Sequence, residues 1–200
     1  MPAMRRHWTA AAVRALIDES PTAWPRYELI RGALLVTPAP MQTHQLAVAE
    51  LLLLLGTYLR SEPVGVVFPS PADLALEPGA ITQPDIFVIP AGGAISRDGV
   101  HRWSDVRALL LAIEVISLGS IRTDRGTKRE YYLEVGVPEY LVVDVDARMV
   151  EHWTPGRETP TVLRDQFEWY PTGASQPLVM SWPDFFDRIA ANMRLLGGQR

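Results

Sequence analysis

Leu109-Leu110-Leu111-Ala112-Ile113-Glu114-Val115-Ile116-Ser117 is a nearly continuous apolar run that carries one charge, Glu114. Continuity of this kind, in place of alternation, predicts a strand covered on both faces at the centre of a sheet. Gly119 and Ser120 then lead into a helix over about 123–135, closed by Gly136 with Pro138 beyond it. Tyr140–Val145 reads as a second buried strand. Two buried strands joined through one helix make a right-handed crossover, which sets them parallel. This unit decides the fold class: α/β, with a central mixed sheet and helices on both faces.

Outward from this unit, Arg148–Trp153 pairs with 140–145 across a short Asp146-Ala147 turn, and 155–177 forms a β-rich appendage with weak strand signals. An amphipathic helix over about 183–195 follows. Upstream, 4–18 reads as a helix ended by Pro21 and Pro25, and Tyr27–Ile30 with Ala33–Thr37 form a hairpin around Arg31-Gly32. The helix over 42–59 is apolar on most sides and is expected to be largely buried. Strands are expected at 64–68, 73–76 and 86–89, and an irregular loop at 90–106. With 200 residues, no internal repeat and no long linker, the chain is expected to be one domain with its core at about 27–153.

Composition narrows the function. Apolar residues at 48% and charged residues at 21% belong to a globular chain, not a disordered one. With no cysteine, a disulfide framework, a thiolate zinc site and a Cys nucleophile are excluded. A net charge of −4 does not describe a protein coated for nucleic acid or anionic membrane, although a local basic patch is compatible with it. The apolar stretch 46–59 contains Glu50 and Gly56 and falls short of the ~20 apolar residues of a spanning helix. His7, Trp8, Arg14 and Asp18 interrupt any signal-like core, so a soluble, cytoplasmic protein is the expectation. Of 19 basic residues only Lys128 is lysine, either through codon bias or because that position needs what a guanidinium cannot do. No Gly-rich phosphate loop, GxSxG or HExxH is present, which disfavours an NTPase, an α/β hydrolase or a zincin.

Two acids stand in costly places. Asp85 follows Pro84 at the head of 86–89, and Glu114 lies within its apolar strand. A buried carboxylate requires a partner or a metal. Each has an ordinary reading, as a strand-start residue and a salt-bridged structural acid respectively. Together, on adjacent strands, they can converge on Mg²⁺ or Mn²⁺, which take one or two carboxylates and keep several waters. Fourteen residues after Glu114 comes Lys128, at the start of a helix that can fold back over the strand end. Asp, Glu, a divalent cation and a lysine at one point suit hydrolysis of a phosphodiester: the metal neutralises phosphate and acidifies a water, and the lysine orients it and offsets charge.

These residues resemble the PD-(D/E)XK nuclease motif, in Gln83-Pro84-Asp85 and Ile113-Glu114-Val115-Ile116-Ser117, and more closely its bacterial branch of Uma-type restriction endonucleases. That branch shows a YELIxG-like hairpin (Tyr27-Glu28-Leu29-Ile30-Arg31-Gly32), Pro38-Ala39-Pro40 and His44, a D-x-x-x-K helix (Asp124 to Lys128) and GVPEYxxVD (Gly136 through Asp144). The match spans about residues 27–153 in order. Ile116 stands where the parent motif has lysine, and the resemblance implies that Lys128 takes that place. It further implies a restriction-endonuclease-like core, Mg²⁺ or Mn²⁺ as cofactor, DNA as substrate and products with a 5′-phosphate.

The same comparison offers Glu28 as an N-terminal site acid, against its reading as a surface partner of Arg26 or Arg31. His44 is either a structural residue near a helix start or a phosphate contact or proton shuttle. Gln83 can orient a water. Arg122, Arg125 and Arg129 form either a phosphate-gripping rim or a solvated face paired with Asp124 and Glu130. Two further readings stand beside the endonuclease: a non-catalytic nuclease-fold module that binds DNA or protein, and a structural homodimer paired through apolar strands.

Overall fold

The computed structural model describes residues 7–197 apart from 23, 95, 97 and 118. Residues 4–6 of the expected first helix lie outside the described residues. Within them, helix α1 covers Ala10–Glu19, capped by Thr9, whose hydroxyl accepts from the Ala12 N–H at 3.2 Å.

Six strands make the central sheet, in the spatial order β3 (Gly65–Pro69), β4 (Ile86–Pro90), β5 (Leu111–Val115), β6 (Tyr140–Asp144), β7 (Met149–Trp153) and β8 (Thr161–Leu163). The β5–β6 pair is parallel and every other neighbouring pair antiparallel, so the sheet is mixed, as the crossover requires. Strands β1 (Arg26–Ile30) and β2 (Ala33–Thr37) form a separate hairpin. It is tied to the chain near the sheet by reciprocal backbone bonds between Leu29 and Ile81.

Alternation along each strand divides the side chains between two cores. Ile86, Val88, Leu111, Ile113, Leu141 and Val143 face one layer, which contains helix α2 (Gln42–Ser61) and helix α4 (Trp182–Gly197). Phe87, Ile89, Ala112, Tyr140 and Val142 face the other, with Ile30 of the hairpin and with Tyr131 and Tyr132 of helix α3 (Arg129–Glu134). Glu114 and Asp85 have the parity of this second face.

Three expectations are corrected. Residues 73–76 are not a strand; Leu74 makes one isolated bridge to Thr82 around the Gly79 turn. Helix α2 is buried on one side through Leu51, Leu55 and Leu59, whereas Leu53 is 66% exposed. The C-terminal region is no appendage. β8 completes the sheet, β9 (Gln166–Trp169) pairs with β10 (Leu178–Ser181), and Trp169, Met180, Trp182 and Phe185 enter the first core.

The helix after β5 opens with a π-helical stretch, Thr123–Lys128, before the α-helical turns of α3. Such wide turns occur in short pieces, often at functional sites. The Tyr140 hydroxyl donates to the Asp124 carbonyl inside it at 2.8 Å. At the far end, the Gly136 N–H bonds to the Leu133 carbonyl and the Val137 N–H to the Tyr132 carbonyl. This is a Schellman cap, with Gly136 at φ +83°. A Cβ at Gly136 would meet no described residue within 4 Å, so Gly136→Ala isolates the left-handed backbone penalty. We expect a loss of about 1–2 kcal/mol, read from the urea midpoint; an unchanged midpoint would contradict the cap.

Candidate active site

The site is assembled at the end of β4 and β5. Ile86 pairs with Ile113 in the antiparallel register, so one step further Asp85 faces Glu114. The Val115 N–H donates to Asp85 Oδ2 at 3.0 Å. Lys128, fully enclosed by its neighbours, projects from the last π-helical position into the same space. Its Nζ lies 2.9 Å from Glu114 Oε1, 2.9 Å from Glu28 Oε2 and 3.7 Å from Asp124 Oδ1. Glu28 comes from β1, and its Oε1 accepts from the Gln83 N–H at 2.7 Å, which locks the hairpin to the segment preceding β4.

Asp85 has its own partners. Arg26 Nη2 donates to Oδ1 at 2.8 Å, and His44 Nε2 lies 2.9 Å from Oδ2. Arg26 also donates to Ser70 Oγ at 2.6 Å. All four acids, Glu28, Asp85, Glu114 and Asp124, are buried.

The charges divide in consequence. Burial acts against Lys128 as a cation, yet Glu114, Glu28 and Asp124 together keep it an ammonium, with its pKa raised well above the usual value. One cation shared three ways leaves the carboxylates undercompensated. Burial raises Glu114 well above its ordinary value against the pull of Lys128, and Asp124, Asp85 and Glu28 add to the rise. Asp124 is likewise pushed up by burial, against Lys128 and a Ser120 hydrogen bond, to about 6. Asp85 goes the other way: burial raises it, but the His44 hydrogen bond and the charges of His44, Arg26 and Lys128 together hold it well below the carboxylate range.

The other expected residues fall into place unevenly. The Gln83 side chain donates to Asp73 at 2.6 Å, so its backbone, not its amide, joins the site. Arg125 is held by Glu151 at 2.6 Å and Asp144 at 3.2 Å. Arg129 pairs with Glu130 and lies 4.7 Å over the Trp153 ring. Among the three, Arg122 alone is exposed, with no ion pair to any described residue. Sequence reasoning missed Arg26 as a site residue and treated Asp124 only as a motif letter. The signals were the two-residue spacing of Arg26 and Glu28 on one strand and the four-residue spacing of Asp124 and Lys128.

The donor chemistry suits a hard divalent cation. Carboxylate oxygens line the cleft, and four buried acids exceed the permanent cations Arg26 and Lys128 by two charges. Asp85 and Glu114 are the acids that face each other across adjacent strands. Among the described residues no group of three or more His, Cys, Asp or Glu is arranged to hold a metal. The cleft between Pro38, His44, Asp85, Glu114, Asp124 and Lys128 has about 10 Å³, room for about one water.

The Uma2 family, described as "Putative restriction endonuclease", matches residues 15–177. The chain belongs to the Uma2 family. A solved structure similar to this Uma2 member is that of a "putative nuclease belonging to DUF820" from Anabaena variabilis ATCC 29413. The two superpose with a TM-score of 0.69 at 21% identity, over 86% of this chain and 96% of that one, which establishes a shared fold. No curated protein matches the chain. No helix among the described residues is long and apolar enough to cross a membrane.

Asp124 supplies a pH test. Its folded value of about 6 lies above the ordinary 3.8, so the native state gains a proton as pH falls through that window. Its contribution to stability is therefore present at acid pH and lost as pH rises through about 6. Asp124→Asn removes that loss. In EDTA buffer the variant should exceed the wild type by on the order of 3 kcal/mol at pH 8, an advantage that vanishes near pH 4. Urea titrations at both pH values check this; equal destabilisation at both would make Asp124 a required partner of Lys128.

Proposed function

We propose that the chain is a single nuclease-like domain, a Mg²⁺- or Mn²⁺-dependent endonuclease that hydrolyses DNA phosphodiester bonds and leaves 5′-phosphates. One observation carries the reading: the chain's only lysine is buried 2.9 Å from Glu114, and Glu114 lies opposite Asp85, in a member of the Uma2 family.

Asp85 and Glu114 would hold the cation, which when bound supplies a Lewis acid that offsets charge on the phosphate. Lys128 works as an ammonium, because three carboxylates hold its proton; it donates to a phosphate oxygen or to the attacking water and offsets charge in the transition state. Glu28 aims Lys128 while the Gln83 N–H fixes its other oxygen. His44 orients Asp85. Arg122 is available to a DNA phosphate, whereas Arg125 and Arg129 would first have to leave Glu151, Asp144 and Glu130.

The rival reading is a non-catalytic nuclease-fold module, and the three donors already on Asp85 favour it. Turnover separates the two. Supercoiled and single-stranded DNA are incubated with Mn²⁺ and either wild type or Glu114→Gln, which matches it in shape, with circular dichroism to verify folding. We expect cleavage by the wild type and a loss of about 100-fold or more in the variant. Lys128→Arg should keep fold and Mn²⁺ binding and lose most of the cleavage, since a planar guanidinium cannot stand in for a point charge among three carboxylates. Equal cleavage by wild type and Glu114→Gln would assign it to a contaminant and leave the module reading.

A further inference from the structure

We propose that Arg26 is a built-in competitor of the divalent cation: its guanidinium holds the Asp85 carboxylate that the cation would take, so the cation enters only as Arg26 gives Asp85 up. The inference rests on the metal-dependent reading above and adds to it the residue that sets cation affinity.

The buried charges form two groups. Lys128 pairs with Glu28, Glu114 and Asp124, and Asp85 pairs with Arg26 and His44. Asp85 therefore has a permanent cation of its own in Arg26. Arginine keeps its proton under all ordinary conditions, so it cannot vacate the carboxylate by deprotonation as a lysine or histidine could. It can only be displaced.

The surroundings of Arg26 suit displacement. It is buried, but its grip is incomplete: one nitrogen is on Asp85, another on Ser70, and Nε has no hydrogen-bond partner among the described residues. The guanidinium carbon lies 4.9 Å from the Trp24 ring, a contact that does not fix its position as a bidentate pair would. Beside it lies a groove of about 270 Å³ whose walls include Arg26 itself, Thr22, Tyr27 and the exposed carboxylate of Asp73. A released side chain thus has open volume next to it and an acid on that wall.

Two cations that contend for one carboxylate weaken each other by the same factor. Removing Arg26 should therefore strengthen cation binding while it destabilises the cation-free protein, in which Asp85 would be left with His44 and the Val115 N–H. A purely supporting arginine predicts the opposite sign for binding, because loss of support would disorder Asp85.

The experiment is calorimetric titration of Mn²⁺ into EDTA-stripped wild type, Arg26→Gln, Arg26→Lys and Asp85→Asn, with melting curves for each. Arg26→Gln should bind Mn²⁺ about tenfold or more tightly. Its melting temperature should fall without Mn²⁺ and rise further with it than the wild type's does. Arg26→Lys keeps the charge but not the fork, carries the same test if Arg26→Gln does not fold, and should also bind more tightly. Equal or weaker Mn²⁺ affinity in the folded Arg26 variants would overturn the inference, and where the wild type still cleaves DNA, it would overturn the inference alone. Undiminished Mn²⁺ binding by Asp85→Asn would remove both the inference and the metal site on which it rests.

Discussion

One ammonium group ties this structure together. Lys128 lies out of water among Glu28, Glu114 and Asp124, and no two of its three acid contacts share a secondary-structure element: one is on the β1–β2 hairpin, one on the central strand β5, one in the π-helical turn. An isolated charge in that position would be prohibitively costly, and so would three unpaired carboxylates. The arrangement is tolerable only when hairpin, sheet and helix meet at one point. Lysine suits the position because a compact ammonium can meet three acids around one point, whereas a guanidinium spreads its donors in a plane. That gives a physical reason for one lysine in a chain otherwise supplied with arginine.

The network is also unbalanced. Its negative charges outnumber its permanent positive ones, and the excess appears as carboxyl groups held closer to neutrality than carboxylates usually are. The imbalance is uneven in space: Asp85, with Arg26 and His44, remains firmly ionised, while Glu114 and Asp124 share what Lys128 can offer. A site of this kind is electrostatically poised, because any added positive charge gains from the acids that lack a full partner.

Much of the architecture was legible because burial leaves a mark in one dimension. An apolar run with one acid identifies a covered central strand, and the helix between two such strands implies their parallel pairing, which β5 and β6 show. The acids Asp85 and Glu114 could be singled out because they interrupt patterns that should have no charge. What was not legible depends on contacts between distant segments. Residues 73–76 alternate as a strand would, yet join no sheet among the described residues and make one isolated bridge, Leu74 to Thr82. The C-terminal tryptophans look like part of a loop-rich extension until helix α2 supplies the surface they cover. Arg125 looks like a free phosphate ligand because Asp144 and Glu151, the acids that hold it, lie 19 and 26 positions away. Arg26 was invisible for a similar reason: which face of the hairpin turns inward is set by the Leu29–Ile81 bridge, not by the hairpin's own pattern.

The hairpin has a consequence for how variants of this protein would behave in a cell. Among the described residues it belongs to no sheet but its own, and its attachment there relies on the Leu29–Ile81 backbone bridge, apolar contacts such as Ile30, and the buried charges of Arg26 and Glu28. The groups that would carry out chemistry are therefore also the clasps that close the fold. A substitution there loosens a segment that proteases and chaperones can engage, and a loss of one or two kcal/mol is enough to lower steady-state abundance several-fold. Genetic loss of function at these positions would then report missing protein as readily as missing chemistry, and the amount of protein must be measured alongside any phenotype.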